Sequence, residues 1–229
     1  MSVINLDASY LVIRGLVIIS ALTFHEFAHA WTAYRAGDET AYRMGRLSFN
    51  PLVHLDPIGT IMLFITYFGW AKPVPVNPAN FRHPRRDDII VSLAGIATNA
   101  LLALLWTIVY GVTTWLCFRK GFDPHTDLAQ APRLLAVAHQ ISEMGILINV
   151  ALAVFNIMPI PPLDGSHVLG HLLKGQAALY YARLYRFGPF LIVAFILLLI
   201  AGIIPLGRMI FSLVIPLENM ARSAAYAAL

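Results

Sequence analysis

Charged residues are scarce in this sequence. Asp, Glu, Lys and Arg account for 12% of its 229 residues, whereas 59% of the residues are hydrophobic. A soluble domain usually carries about 25% charged and about 45–50% apolar residues. A chain with so little charge has too few polar side chains to cover its surface in water, so lipid must contact much of it. The composition therefore predicts a membrane-embedded protein.

Other features are also missing. The single cysteine, Cys117, cannot form an internal disulfide. The first nine residues lack the basic stretch that opens a cleavable signal peptide. The sequence shows no repeat, low-complexity tract or soluble appendage, so we expect residues 1–229 to form one membrane-embedded domain.

Four apolar stretches are long enough to be membrane-spanning helices, which need about 20 residues. They are Tyr10–Arg35, Ile89–Phe118, Leu134–Met158 and Phe187–Ile204. A shorter stretch, Leu206–Leu217, is either a last span or an interfacial helix. The 13 residues Ile58–Trp70 are too few for an untilted span, and the Pro-rich stretch after them is typical of extended or turn structure. The predicted fold is an all-α, polytopic helical bundle with a re-entrant, partly extended or β segment between the first two long spans.

The basic residues lie mainly in short loops and not on one face interleaved with aromatic side chains, so no nucleic-acid partner is expected. Basic loops mark the cytoplasmic side of a membrane protein. More of them lie between the first and second spans (Arg35, Arg43, Arg46, Lys72, Arg82, Arg85 and Arg86) than between the second and third (Arg119, Lys120 and Arg133). This bias predicts that residues 35–88 are cytoplasmic.

Three ionisable residues interrupt the first span in the pattern HExxH. On a helix, His25 and His29 share one face and can bind the same cation, and Glu26 stands beside that face, where it can take a proton from water. Ionisable side chains inside a span are costly to bury and are usually functional. The alternative is a buried polar cluster that neighbouring helices satisfy.

A zinc site of this kind needs a third protein ligand and an open position for water. Asp164 is a candidate, because three prolines in NIMPIPPLDG break the chain just beyond the third span. Irregular backbone at membrane depth is tolerated where it lines protein or a wet cavity. The alternative for Asp164 is an ordinary Asp-Gly turn at a helix end.

The two motifs can meet only if the first and third spans end on the same side of the membrane. His25 and His29 lie in the C-terminal half of the first span, and Asp164 follows the third. If Ile58–Trp70 is re-entrant, the second span leaves and the third returns to that side. A full crossing would place Asp164 on the opposite side, so we predict that Ile58–Trp70 does not cross the bilayer.

Taken together, the motifs closely resemble the site-2 protease family of intramembrane zinc metalloproteases. The resemblance is carried by HEFAHA in the first span and by the pattern N-x-x-P-x-P-x-x-D-G at residues 156–165. The stretches GRLSFNPLVHLDPIGT and GWAKPVPVNP and the pair Gly95 and Asn99 are also similar to family sequence. The similarity extends over residues 20–170, approximately.

The resemblance implies one zinc ion per chain, bound by His25, His29 and Asp164, with Glu26 activating water. Asn156 matches a family position that helps to hold the substrate backbone. Unlike larger members, this sequence shows no PDZ or CBS insertion and no span ahead of the HExxH helix, so regulation by such domains is not carried over.

For several other polar residues, the sequence favours structural roles over roles in metal binding. His167 and His171 also stand four residues apart, but no glutamate follows His167, and local polar contacts are favoured over a second metal site. His54 and Asp56 are expected to cap a loop, with support of the metal ligands as the alternative. The pair Gly95 and Asn99 is expected to let helices pack closely, with the amide hydrogen-bonding across them, and the alternative is a contact with substrate.

The expected function is hydrolysis of a peptide bond within or next to a transmembrane segment of a membrane-protein substrate, as in regulated intramembrane proteolysis. An unwound substrate needs partners for its backbone, and residues 43–80 can supply a strand edge. The alternatives are a metal-ion transporter and a non-catalytic scaffold that binds helices. The expected location is the bacterial inner membrane, with the active site towards the cytoplasm, and the expected partners are a transmembrane protein substrate and the lipid bilayer.

Overall fold

The computed structural model describes residues 8–60 and 70–229, and within them the chain is mostly helical. The α-helices are α1 (Ala8–Ala36), α2 (Thr40–Arg43), α3 (Pro84–Arg119), α4 (Arg133–Asn156), α5 (Asp164–Leu172), α6 (Gly175–Leu184), α7 (Gly188–Ile200) and α8 (Leu206–Ala227). The described residues contain no strand, and an isolated antiparallel bridge joins Leu55 to Ala71. The predicted all-α fold is confirmed.

Four described helical segments are long and apolar enough to cross a membrane, which agrees with the number predicted. They are Tyr10–Ala36, Pro84–Arg119, Arg133–Asn156 and Gly175–Ile200. The second starts earlier than predicted because Pro84 suits the first turn of a helix. At about 1.5 Å per residue, its 36 residues exceed the roughly 30 Å hydrocarbon layer, so α3 extends beyond it.

The predicted end of the fourth span at Ile204 is wrong. α7 ends at Ile200, and Gly202 then adopts a φ of 71°, a left-handed conformation that glycine tolerates best. The last apolar stretch belongs to α8, a longer helix that contains Pro216 and packs against α3 and α4.

α3 lies at the centre of the bundle, in contact with α1, α4, α5 and α8. Two apolar clusters hold the helices together. One joins α3, α4 and α8 through Ala103, Tyr110, Ile146, Val150, Val214 and Ala221. The other joins α1 and α4 through Ile13, Val17, Ala21 and Ile148. The face of α7 that carries Phe190, Val193, Leu197 and Ile200 is exposed, which suits a helix whose solvent is lipid.

The segment between α1 and α3, residues 37–83, starts and finishes at the same end of the bundle. The Arg82 amide donates to the Ala36 carbonyl over 3.0 Å, so the last turn of α1 lies beside the entry to α3. Within this segment, the His54 ring bonds the Ser48 carbonyl and Asp56 Oδ1 accepts from the Gly59 amide. His54 and Asp56 therefore act within the loop, as favoured from the sequence.

The prediction that Ile58–Trp70 is re-entrant falls largely on residues 61–69, which lie outside the described residues. The described flanks of that stretch meet. Leu55 bridges to Ala71, and the Lys72 amide donates to the His54 carbonyl over 2.8 Å. The chain therefore leaves and rejoins the described structure at one place, and α3 and α4 then carry it away and back to the end of the bundle where Asp164 is needed.

Candidate metal centre

His25 and His29 lie on the face of α1 that packs against α3, and Glu26 stands beside that face. His25, Glu26 and His29 are 5%, 8% and 8% exposed. The Nε2 atoms of the two histidines are 3.0 Å apart, as their spacing on a helix predicts. Burying three ionisable groups in a membrane-spanning helix is unfavourable unless each group is bonded or binds a metal. Their partners therefore decide what the site can do.

Asp164 is the first residue of α5 and follows the proline-rich break after α4. Its Oδ2 atom lies 3.2 Å from His25 Nε2 and 3.3 Å from His29 Nε2. Gly165 permits this arrangement, because a Cβ there would collide with the backbone of Ile157. Asp164 does lie at a helix end, as in the alternative of an Asp-Gly turn. That helix end, however, is next to the two histidines.

Two tyrosines hold the proline-rich break from the side. The Tyr181 hydroxyl donates to the Pro159 carbonyl over 2.9 Å, and the Tyr185 hydroxyl lies 3.0 Å from Ser166 Oγ. Ser166 also donates to the Leu163 carbonyl. The helical region that leads into α7 thus helps to fix the position of Asp164.

Gly95 of α3 lies directly against the two histidines. A Cβ at this position would come within 2.5 Å of His25 Cε1 and of His29 Nε2, far inside van der Waals contact. The predicted role of Gly95 in close helix packing is confirmed. Its lack of a side chain allows the imidazoles to occupy the space between α1 and α3.

The second ring nitrogen of each histidine has an oxygen partner. His25 Nδ1 lies 2.6 Å from Asn99 Oδ1, and His29 Nδ1 lies 2.7 Å from the Val91 carbonyl oxygen. Carbonyl oxygens only accept hydrogen bonds, so each Nδ1 must carry a proton, and Nε2 is the ring nitrogen left for a metal. Both Nε2 atoms face Asp164.

Three electron-rich atoms therefore converge at one place. Asp164 Oδ2 is buried and has no aligned hydrogen-bond donor. Among the described residues, His25, His29 and Asp164 form the group whose possible ligand atoms all lie within 4.8 Å of one another. Two imidazoles and a carboxylate are donors that catalytic zinc takes, and tetrahedral ligands at about 2.0–2.1 Å from zinc lie about 3.3 Å apart. The residues fit a zinc ion.

Glu26 is held separately from these three ligands. Its Oε2 atom accepts a hydrogen bond of 2.8 Å from the backbone amide of Val74, in the segment 37–83. Glu26 does not belong to the convergent group. Its placement suits the predicted general base, which must lie beside the metal and not on it.

The structure does not bring Asn156 into the convergent group. This residue ends α4, is half-buried, and donates from Nδ2 to the Leu152 carbonyl of its own helix over 3.0 Å. Its predicted contact with substrate therefore stays a prediction. Two contributors were missed from the sequence. Val91 and Val74 act through their backbones, which a side-chain pattern does not show.

A third missed residue, Asn149, could have been suspected. It is the single amide in the apolar run GILINVALAVF of α4, and a lone polar residue in a span is costly without a partner. Its side chain donates to the Gly145 carbonyl and accepts from Asn99. The predicted cross-helix role of the Asn99 amide is thereby confirmed, with Asn149 and His25 as its partners.

His167 and His171 make local contacts, as favoured from the sequence. Both approach Asp88 Oδ2, His171 through Nε2 at 2.6 Å and His167 through Nδ1 at 3.3 Å. These three residues do not form a group with metal-ligand spacing. They tie α5 to the start of α3.

Two buried histidines on one helix of a membrane protein, with a glutamate beside them and an aspartate within reach, are typical of membrane metalloproteases. The chain is a member of Peptidase family M50, the family of the site-2 proteases, whose family model matches residues 14–200. No PDZ or CBS domain is seen in the matched region.

Curated relatives agree with this family. YwhC of Bacillus subtilis is 37% identical over 80% of this chain and 78% of its own length. Rip2 of Mycolicibacterium smegmatis is 34% identical over 89% of this chain and 71% of its own, and MJ0611 of Methanocaldococcus jannaschii is 26% identical over 72% and 73%. Each carries the name "Putative zinc metalloprotease". No solved structure gave a significant match.

Proposed function

We propose that this protein is a zinc-dependent intramembrane endopeptidase. It hydrolyses a peptide bond within or next to a transmembrane segment of a membrane-protein substrate, as in regulated intramembrane proteolysis. The observation that carries the proposal is the convergence of His25 Nε2, His29 Nε2 and Asp164 Oδ2 at one place, with both histidines and Glu26 on a helix long enough to span a bilayer.

The chain's own residues supply the proton chemistry and the alignment. Zinc, when bound, supplies Lewis acidity that polarises a peptide carbonyl and makes water a better nucleophile near neutral pH. Glu26 takes a proton from water as the oxygen adds to the carbonyl carbon. It then returns the proton to the amide nitrogen as the C–N bond breaks. The Val74 amide keeps the carboxylate in place by its bond to Oε2.

Two features support cleavage in a membrane. Glu26 and both histidines lie in α1, which contains a 27-residue segment apolar enough on average to span a membrane. The backbone at residues 72–77 is not helical and runs past Glu26 at Val74. We propose that an unwound substrate segment lies along this stretch. A substrate helix has to unwind first, because its carbonyls are otherwise held in helical hydrogen bonds.

We propose that the site faces the cytoplasm of a bacterial inner membrane. The metal centre lies towards the end of the bundle that also holds the segment 37–83, and this segment carries Arg43, Arg46, Lys72 and Arg82. Basic loops of this kind stay on the cytoplasmic side. Cysteine labelling from each side, after replacement of Cys117, tests this orientation.

The Glu26→Gln variant separates the proposed function from its rivals. The substitution keeps the volume of the side chain and removes its basicity, so we expect peptide hydrolysis to fall by about 10²–10⁴-fold while zinc content stays unchanged. Proteomic comparison of membrane fragments from cells that carry either form identifies the substrate. Glu39→Gln is a matched control, since Glu39 lies at the surface and pairs with Arg43.

The rivals give different results in the same experiment. A metal-ion transporter needs no general base, so it would retain metal flux in the Glu26→Gln form. A scaffold would release no fragments in either form. Equal fragment patterns from wild-type and Glu26→Gln proteins, with zinc bound to both, would contradict the proposed protease.

A further inference from the structure

Two buried amides connect the ligand His25 to the backbone of α4. Asn99 of α3 is fully buried and Asn149 of α4 is 1% exposed. Asn149 stands between Ile148 and Val150, two members of the apolar clusters. Amides in such a place are unfavourable unless they are hydrogen-bonded. The proposed hydrolysis gives neither amide a direct task.

The amides form a continuous chain of hydrogen bonds. Asn149 Nδ2 donates to the Gly145 carbonyl over 2.9 Å, and Asn99 Nδ2 donates to Asn149 Oδ1 over 3.0 Å. His25 Nδ1 then donates to Asn99 Oδ1 over 2.6 Å. A longer contact of 3.4 Å joins Asn99 Nδ2 to the Ala21 carbonyl. This series of hydrogen bonds, which we call the relay, begins at the Gly145 carbonyl and ends at His25, a proposed metal ligand.

The backbone carbonyl fixes the direction of every bond in this chain. The Gly145 oxygen can only accept, so the Asn149 amino group must face it and Asn149 Oδ1 must face Asn99. Asn99 therefore turns its amino group to Asn149 and its oxygen to His25. Flipping either amide would bring two oxygens, or two donors, face to face. The orientation of Asn99 leaves one tautomer for His25, with the proton on Nδ1.

We propose that Asn99 and Asn149 are positioning residues that hold the His25 ring in the tautomer and orientation needed for metal binding. The inference rests on the zinc binding of the proposed function and not on peptide hydrolysis. His29 is held differently, because its Nδ1 bonds a backbone carbonyl, that of Val91. The two histidine ligands thus differ in how they can be disturbed. Replacing the partner's side chain can remove the Nδ1 hydrogen bond of His25 but not that of His29.

The packing of α3 on α4 makes the amide contact possible. A Cβ on Gly145 would collide with the ring of Trp106 from α3, so this glycine lets the two helices come close. Gly95 does the same between α1 and α3 at the histidines. Small residues at helix crossings permit such short interhelical hydrogen bonds within a membrane. The relay spans three helices at two glycine-lined contacts.

Zinc affinity of the purified full chain, measured by competition with a chelator, tests the proposal. Loss of a partner that orients a metal ligand typically weakens metal binding by about 10–100-fold. We expect that range for Asn99→Ala and a smaller loss, still above twofold, for Asn149→Leu, which keeps the volume but removes the anchor. Thr107→Val is the matched control. Thr107 is buried in α3 and bonds only the carbonyl of Ala103 in its own helix, so its loss should change zinc affinity less than twofold.

The double variant tests whether Asn149 acts through Asn99. If it does, Asn99→Ala combined with Asn149→Leu should bind zinc as Asn99→Ala does, because the relay is already broken. Independent effects would instead multiply. Nitrogen NMR of ¹⁵N-histidine in the zinc-free protein gives a second readout. Asn149→Leu should reduce the Nδ1-protonated form of His25, which a loss of packing alone would not do.

The outcomes separate this inference from the proposed function. Wild-type protein that binds no zinc would count against the proposed function itself. Wild-type protein that binds zinc, with both asparagine variants within twofold of it, would overturn the relay alone. Multiplied effects in the double variant would likewise overturn it. If Asn99→Ala does not fold, Asn149→Leu with its NMR readout decides the question.

Discussion

Two clusters in this protein contain the same residue types at the same spacing. The metal centre has His25, His29 and Asp164, and the Asp88 cluster has Asp88 with a second pair of histidines, four residues apart on α5. In both clusters the aspartate comes from a different helix. Only the metal centre has ligand atoms at the spacing that one ion requires.

The two clusters differ in how deeply their histidines are buried and in the hydrogen-bond partner of each second ring nitrogen. The side chains of His25 and His29 are 6% and 11% exposed, whereas those of His167 and His171 are 40% and 32% exposed. In the metal centre both Nδ1 atoms are bonded to oxygen, so both Nε2 atoms face the carboxylate. In the Asp88 cluster one ring approaches through Nδ1 and the other through Nε2. Spacing alone therefore does not make a metal site, since acceptors on other helices set the direction of each ring.

Exchanging the histidine pairs for alanine gives the largest contrast between the clusters. We expect the His25→Ala, His29→Ala double variant to lose its zinc and its activity, because two of three ligands are gone. The His167→Ala, His171→Ala variant should keep its zinc, because the three proposed ligands remain and Ser166 still bonds the Leu163 carbonyl and Tyr185. Metal analysis of both purified proteins measures this. Full zinc occupancy in the first variant would refute the assigned ligands.

The glycines on α3 give the next contrast. In Gly95→Ala the new methyl group would overlap both histidine rings, so we expect zinc affinity to fall by about 10–100-fold, as for other disturbed ligand geometry. Gly111→Ala is the control on the same helix, because its nearest neighbour, the Cβ of Ala221, would lie at an ordinary 3.5 Å. Chelator competition gives the affinities. Equal affinities in the two variants would show that α3 does not confine the imidazoles.

Asn156→Ala tests a residue outside both clusters. If Asn156 holds substrate, cleavage should fall roughly tenfold while zinc content and thermal stability stay near those of wild type, because an aligned hydrogen bond to substrate contributes one or two kcal/mol. Its amide bonds only its own helix in this structure, so a structural role predicts a loss of stability of about 0.5–2 kcal/mol. Normal cleavage by a stable Asn156→Ala protein would remove this residue from the site.

Asp38 is a carboxylate that contrasts with Asp164. Four hydrogen bonds from Thr40, Asn77 and Asn80 reach Asp38, whereas Asp164 Oδ2 has no aligned donor. Burial opposes ionisation of Asp38, but these bonds outweigh it and hold its pKa below the ordinary value. The stabilisation is therefore present above about pH 3.9 and is lost as the pH falls through the lowered pKa of the folded state.

We expect Asp38→Ala to lower the free energy of unfolding at neutral pH by about 1.5–3 kcal/mol, the value of hydrogen bonds to a charged group. The variant should also lose part of the acid-dependent fall in stability. Denaturation across the acid range in detergent measures both effects. The neighbouring Glu39→Ala is the control, because its exposed pair with Arg43 contributes little. Equal losses in the two variants would mean that the buried bonds of Asp38 do not anchor the segment 37–83.

Most of the fold and the principal ligands followed from local patterns. Hydrophobic length identified the spans, and four-residue spacing placed His25 and His29 on one face of a helix. The proline-rich break pointed to Asp164. Local patterns failed where the backbone turns or where partners are remote. The end of α7 depends on a left-handed Gly202. The role of Asn149 depends on its hydrogen bond with Asn99, which is 50 residues away in sequence.

The sequence by itself determined that the chain is a helical membrane protein and that α1 carries a pair of potential metal ligands beside a carboxylate. Both properties depend on composition and on the 3.6-residue period of one helix, which a linear sequence contains. Only the tertiary structure decided which histidine pair has the geometry of a metal site. That choice depends on oxygens from Val91 and Asn99, on the space left by Gly95, and on the proline-rich break after α4 that brings Asp164 to the histidines. These atoms meet only when the helices pack, because the direction of a lone pair is set by the hydrogen bond on the other side of the ring.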